Sequence, residues 1–230
     1  MNQLIRLRDF EFLLHDVLKV ETLCQTDLFS NHSRDVFDAI LETAKKLAEE
    51  KFEDHAALID HHPPRLENGV VHVPPEIKVA TDAFIENGFC AAPFPEEWGG
   101  MGLPLSISNT YNLFYNAANI STSTYVGLTM AATNMLMAHG DDELKAKLLP
   151  HLVSGRFFGT MCLSEPHAGS SLSNLRTTAT PNGDGTYHIR GTKMWITGGD
   201  HDLSENIIHF VLARLPDASI GTGGISLFAV

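Results

Sequence analysis

Phe157-Phe158-Gly159-Thr160-Met161-Cys162-Leu163 is where the chain changes character. Seven mostly apolar residues run up to Pro166 and a series of small side chains, which is the pattern of a strand that delivers a loop. Before this stretch, apolar residues recur at helical spacing; after it, short extended runs alternate with turn signals. Helices first and strands afterwards predict separate domains rather than an alternating βαβ sheet.

Upstream, Phe10, Leu13, Leu14, Val17 and Leu18 set a helix over 9–20. A second helix is predicted over 33–59, with Val36, Ile40, Ala44 and Leu47 on its apolar side and Ser33, with Asp35, at its cap. Residues 61–74 read as a loop, and Pro75 opens a third helix that buries Ile77, Ala80, Phe84 and Ile85 before Gly88 ends it. Residues 106–118 and 122–139 read as two helices, the second apolar nearly all round and therefore buried. Gly140 closes it, Asp141 caps a short helix through Leu149, and Pro150 begins a further turn ending at Gly155.

Downstream, 175–180 and 187–196 flank the turn signal Asn182-Gly183-Asp184-Gly185 and form a hairpin. Strands are also expected over 207–215 and 225–230. Leu227-Phe228-Ala229-Val230 is apolar, with no turn after it, and the expectation is an incomplete β domain.

Composition narrows the function classes. With 230 residues, 43% hydrophobic and 19% charged, the chain suits one large domain or two smaller ones. No apolar run approaches the ~20 residues that span a bilayer, and the N-terminus lacks a secretory signal pattern, so a cytoplasmic protein is expected. The net charge of -12 comes without a Lys/Arg cluster, which argues against nucleic acid as a partner. Cys24, Cys90 and Cys162 are sparse and odd in number, so neither a disulfide framework nor a thiolate metal site is expected. Twelve histidines lack the spacing of convergent ligands, and no metal is assigned. Gly99-Gly100-Met101-Gly102 has no strand before it and Pro104 after it, so it reads as a tight loop rather than a dinucleotide fingerprint.

Two segments carry chemistry. In Met161-Cys162-Leu163-Ser164-Glu165-Pro166-His167-Ala168-Gly169-Ser170-Ser171, small residues let backbone N–H groups approach a ligand, and the Ser164 hydroxyl can face a ring nitrogen. An ordinary β-turn explains this piece equally well. In Lys193-Met194-Trp195-Ile196-Thr197-Gly198-Gly199, an aromatic near a strand end precedes a hydroxyl and paired glycines, which suits a wall beside a flat cofactor. A core Trp is the commoner explanation of such a piece. The two together, joined through a hairpin, are far more specific than either alone.

Both segments resemble the acyl-CoA dehydrogenase family. Cys162 to Ser170 follows its signature of small, aliphatic, Ser/Thr, Glu, two variable, small, Gly and Ser/Thr, and Lys193 to Gly199 matches its second flavin segment. Leu66-Glu67-Asn68-Gly69, Trp98-Gly99-Gly100-Met101-Gly102-Leu103-Pro104, His139-Gly140-Asp141-Asp142-Glu143 and His201-Asp202-Leu203-Ser204-Glu205-Asn206 extend the likeness over most of the chain, towards the 3-methylmercaptopropionyl-CoA dehydrogenase branch. The resemblance implies an α+β multi-domain fold: a helical extension over 1–32, an all-helical N-terminal domain over 33–156, and an antiparallel, β-barrel-like middle domain over 157–230. The chain is expected to stop before the family's C-terminal four-helix domain.

The resemblance also implies FAD as cofactor. It places the backbones of Met161 and Leu163 and the hydroxyl of Ser164 against the flavin, with Trp195 beside the ring and Thr197 bonded near it. Ser170 matches the acyl-CoA contact, although Ser171 stands where the family usually has Asp. Glu165 is expected to hold the loop rather than perform chemistry. The implied reaction oxidises an acyl-CoA to the trans-2-enoyl-CoA, with electrons passed to an electron-transfer flavoprotein by a homo-oligomeric full-length protein. The family's base is a Glu in the C-terminal domain, so no catalytic residue is expected here and the fragment alone is predicted to be inactive. An acyl-CoA oxidase and a non-catalytic binding or scaffold member of the family remain open alternatives.

Overall fold

A computed structural model describes residues 4–230; residues 1–3 of the expected N-terminal extension lie outside it. Helix α1 (Leu7–Glu11) runs into a π-helical turn over Phe12–Val17. Lys19, at φ 52°, stops the turn, and short 3-10 turns follow. Of the apolar stripe expected here, Leu14 is buried, while Leu13, Val17 and Leu18 are exposed. The cause is the wider π turn, in which a stripe spaced for an α-helix no longer stays on one side. The buried ring of His15 fastens this segment to α2 (Arg34–Leu47), lying 2.7 Å from Asp38 Oδ1 and 3.2 Å from Glu21 Oε2.

Ser33 caps α2 as expected, its hydroxyl accepting from the Val36 N–H at 3.3 Å. The buried side is Phe37, Leu41, Ala44 and Leu47, so the large Phe37 takes the place expected of Val36. The predicted long helix is interrupted by π and 3-10 turns over 48–55 before α3 (Ala56–His61). Strands β1 (Arg65–Glu67) and β2 (Val70–His72) form a hairpin where a loop was expected. Its turn, Asn68-Gly69, has both residues at positive φ (52° and 82°), the geometry that suits the twist of the flanking strands. Helix α4 (Pro75–Glu86) buries Ile77, Ala80 and Phe84, and Gly88 at φ 79° lets the Phe89 N–H reach the Phe84 carbonyl.

The two helices predicted after the glycine loop are both present, running end to end over Leu105–His139 (together α5) and separated by non-helical backbone at Asn119 (φ -162°, ψ 92°). The buried Asn119 amide donates to the Phe52 carbonyl at 3.1 Å and accepts from the Thr122 N–H at 3.2 Å. That side chain supplies the partners that the break removes from the helix. Asp141 caps α6 (Asp142–Val153), accepting from the Leu144 N–H at 2.8 Å. The helix passes through Pro150 instead of restarting there, held by the buried Leu149, Leu152 and Val153. Phe52, Phe84, Phe89, Tyr111 and Tyr115 form the aromatic centre of the helical core.

The β region comprises β3 (Phe157–Cys162), β4 (Thr178–Pro181), β5 (Tyr187–Arg190), β6 (Asn206–Arg214) and β7 (Ile225–Ala229). The expected antiparallel pairing does not hold throughout, and no closed barrel is found among the described residues. Pairs β4–β5 and β6–β7 are antiparallel, but β3 and β4 both lie parallel to β6. Residues 163–205 form a crossover long enough to bring β6 back in the direction of β3, which a hairpin cannot do. Among the described residues the sheet is open, ordered β3-β6-β4-β5 with β7 also on β6. Strand β5 ends at Arg190, short of the expected Ile196.

One side of β3 and β6 rests on the helical domain. Ile208, Phe210 and Met161 pack with Ala132, Leu136, Leu148 and Leu152 of α5 and α6. At Gly159 the approach is closest: a Cβ there would lie 2.5 Å from that of Ala132, and the Gly159 N–H donates to Thr129 Oγ1 at 3.1 Å. No described helix is long and apolar enough to cross a membrane.

Candidate functional site

Strand β3 ends at Cys162, and the chain then turns across the start of the 193–199 segment. The Met194 N–H donates to the Ser164 carbonyl at 3.0 Å, and Lys193 Nζ donates to the Leu163 carbonyl at 3.1 Å. The two segments singled out in the sequence are therefore neighbours, stitched at their backbones.

Glu165 is the fastening point. Its carboxylate is 3% exposed and accepts from the N–H of Arg176 (2.8 Å), the N–H (3.0 Å) and hydroxyl (2.5 Å) of Thr177, and Lys193 Nζ (3.0 Å). Its backbone also pairs with Ala168, closing the small-residue loop. Burial pushes the carboxyl pKa up, but the hydrogen bonds from Thr177, Arg176 and Lys193 outweigh it and hold the pKa at about 2. A carboxylate so placed is a poor proton acceptor at neutral pH. Sequence reasoning gave Glu165 its holding role but missed Lys193, Arg176 and Thr177 as its partners. A lysine inside a strand-like run, two residues before Trp195, was the available signal for the first of these.

Around this hub, Met161, Leu163 and Ser164 are half-buried, while Ser170, Trp195 and Thr197 are exposed. Trp195 is 80% exposed and sits at φ 57°, where bulky side chains are rare. Among the described residues, no hydrogen bond is made by Ser164 Oγ, Thr197 Oγ1 or the Trp195 indole N–H, leaving these polar groups free for a ligand. A flat, exposed aromatic two residues from one unspent hydroxyl, on a segment bonded to that carrying another, suits a planar heterocycle with polar edges. Ser170 lies on the same loop, beyond Gly169, whose would-be Cβ stands 4.0 Å from Ser164 Oγ.

The left-handed backbone at Trp195 yields a prediction. Trp195→Gly is expected to leave the fold as stable as before or up to about 1 kcal/mol more stable, because an L side chain is disfavoured there by that order. Thermal unfolding checks it, and a marked loss of stability would show that the indole serves packing instead.

Between β3 and β6, Thr160 Oγ1 meets His209 Nδ1 at 2.7 Å, and burial lowers the His209 pKa and raises that of Cys162. No cluster of three or more His, Cys, Asp or Glu residues able to hold a metal occurs among the described residues.

Comparison with known proteins points the same way as the geometry. Residues 35–156 match the family model described as acyl-CoA dehydrogenase, N-terminal domain, and residues 160–230 match the acyl-CoA dehydrogenase middle domain. The chain is 41% identical over 223 residues to a 3-methylmercaptopropionyl-CoA dehydrogenase of Ruegeria pomeroyi, covering 97% of this chain and 38% of that protein. It is 32% identical to a butyryl-CoA dehydrogenase of Syntrophomonas wolfei, covering 100% of this chain and again 38% of the relative. Among solved structures, butyryl-CoA dehydrogenase from Megasphaera elsdenii superposes with a TM-score of 0.70 at 27% identity, over 86% of this chain and 49% of that one. The chain thus spans well under half the length of these curated relatives.

Proposed function

The chain belongs to the acyl-CoA dehydrogenase family, and from that premise we propose that it forms the helical and β-sheet part of an FAD-dependent enzyme oxidising acyl-CoA thioesters to trans-2-enoyl-CoA. The observation that carries this reading is the stitched pair of segments, with Met194 bonded to Ser164 and Trp195 standing exposed beside them. When bound, FAD supplies the acceptor for the hydride leaving the β-carbon.

The chain's own residues do the positioning. The backbones of Met161 and Leu163 and the hydroxyl of Ser164 line one edge of the flavin site, Trp195 flanks its plane, and Thr197 offers a hydroxyl near the ring. Ser170 reaches the acyl-CoA. The site's buried carboxylate, Glu165, has its oxygens occupied by Thr177, Arg176 and Lys193 and a pKa near 2, so it does not take the α-proton. The base is assigned to a carboxylate outside these 230 residues. Electron-transfer flavoprotein as acceptor and assembly into a homo-oligomer belong to the same proposal. So does the domain division, with a helical extension to residue 32 and the β domain from 157.

The test uses the 230-residue chain. FAD fluorescence polarisation is expected to rise saturably but with weak affinity, and to be blunted at least fivefold in affinity by Trp195→Gly, since stacking on one aromatic contributes about 1 kcal/mol or more. No enoyl-CoA is expected to form. Absence of any saturable FAD response sinks the flavin assignment; robust enoyl-CoA formation sinks the assignment of the base.

A further inference from the structure

We propose that His201 is a positioning residue: seated between Tyr125 and Phe158, it holds the Leu203 N–H on its Nδ1 and by that bond fixes the Gly198-Gly199 turn and, through it, the attitude of Trp195 and Thr197. The functional half of this proposal rests on the flavin-wall reading of those two residues.

His201 is 9% exposed, with its ring edge-to-face against Tyr125 of α5 (centroids 5.4 Å apart, 83° between planes) and against Phe158 of β3 (5.3 Å, 65°). Its Nδ1 accepts from the Leu203 N–H at 3.2 Å, so the ring is the neutral tautomer with its proton on Nε2. Leu203, 4% exposed, belongs to the core of the helical domain. Two residues of the loop are therefore sunk into the body of the protein, one of them by means of the other's backbone.

The turn lies close beside this anchor and its neighbour Tyr125. A Cβ at Gly198, which has φ 61°, would lie 3.3 Å from Tyr125 Cδ1 and 4.0 Å from His201 Cδ2. The Gly199 N–H donates to the Ile196 carbonyl at 3.0 Å and closes the turn that carries Thr197. His201 follows Gly199 by two residues, so a displacement of its ring is carried along that short span of chain to the turn.

Protonation offers a way to withdraw the anchor. The groups facing His201 are Asp200 and Asp202 on its own loop, His209 on β6 and Tyr125 on α5, while Phe158 of β3 is apolar. Burial lowers the His201 pKa from its ordinary value, with the two aspartates opposing. Once Nδ1 carries a proton it no longer accepts from Leu203.

The test measures amide exchange at Gly199 and Leu203 by NMR in the 230-residue chain, with FAD affinity read separately by polarisation. His201→Phe, which keeps an aromatic but loses the acceptor, is expected to speed exchange at both amides roughly ten- to hundredfold. His201→Asn, whose Oδ1 replaces Nδ1 as acceptor, is expected to restore protection. Wild-type protection should also fall through an acid limb below the usual histidine range, and His201→Asn should lack that limb. Equal damage by both variants, an undisturbed Gly199, or a limb that survives in His201→Asn overturns the proposal. If His201→Phe does not fold, the pH profile of His201→Asn against wild type decides alone. Exchange needs no flavin, so loss of the FAD response with the exchange results intact removes the functional reading only.

Discussion

Glu165→Ala is expected to destabilise the protein by about 3–5 kcal/mol, the range for breaking a buried charge pair from one side. The substitution leaves Lys193 Nζ, on a side chain only 11% exposed, without its carboxylate. It also strands the N–H groups of Arg176 and Thr177. Glu165→Gln keeps the shape and one acceptor oxygen, so its cost is expected to be smaller. Denaturant unfolding at neutral pH measures both.

The same carboxylate sets an acid limb. Its pKa in the folded state is about 2, against an ordinary 4.5. A depressed carboxyl pKa contributes stability that is fully present above the unfolded value and lost as pH falls through the folded one. The window therefore runs from about pH 4.5 down to about 2, and the contribution is roughly 3 kcal/mol. Unfolding free energies measured across this window are expected to decline in the wild type and to stay flatter in Glu165→Gln. An identical decline in both would place the acid sensitivity elsewhere.

Gly159→Val is expected to cost about 3 kcal/mol, at the upper end for overpacking a close contact. Even a Cβ would approach that of Ala132 to 2.5 Å, and both groups sit on backbone elements rather than at the ends of flexible chains. Strand β3 must then move off α5, breaking the bond from the Gly159 N–H to Thr129. Because β3 carries Met161 and leads into Leu163, loss of FAD response should accompany the loss of stability. Ala132→Gly in the same background opens room for the first carbon of the new side chain. A double-mutant cycle by thermal unfolding should therefore show partial recovery, and strict additivity would refute the contact.

How much of this was legible follows from the range of each signal. Local chemistry was readable: Ser33 and Asp141 cap their helices, Pro75 opens one, and Asn182 to Gly185 turns a hairpin. The two site segments were recognisable because their residue types are specific in combination. Strand direction was not, since nothing in β3 or β6 alone states which way its partner runs; the length of the crossover decides that. The π turn at Phe12–Val17 left Leu13, Val17 and Leu18 of the expected apolar stripe exposed, because periodicity assumes the helix type it is used to find. The break between the two helices of α5 was legible as the gap between 118 and 122, whereas the bond from Asn119 to the Phe52 carbonyl, 67 positions away, was not. Glu165 was in plain view, but its partners come from 176–177 and from 193, and only folding brings them within reach.

The parallel pairing of β3 with β6 also bears on how the molecule assembles. Thr160 finds His209 only across a sequence separation of 49. During synthesis the helical half can form its local contacts as it emerges, whereas β3 must wait with an unpaired edge until β6 has left the ribosome. The surface that β3 already shares with α5 and α6 through Met161 and Gly159 shields part of that edge's apolar content in the interval, so the order of birth along the chain and the docking of strand on helix work as one safeguard against misassociation.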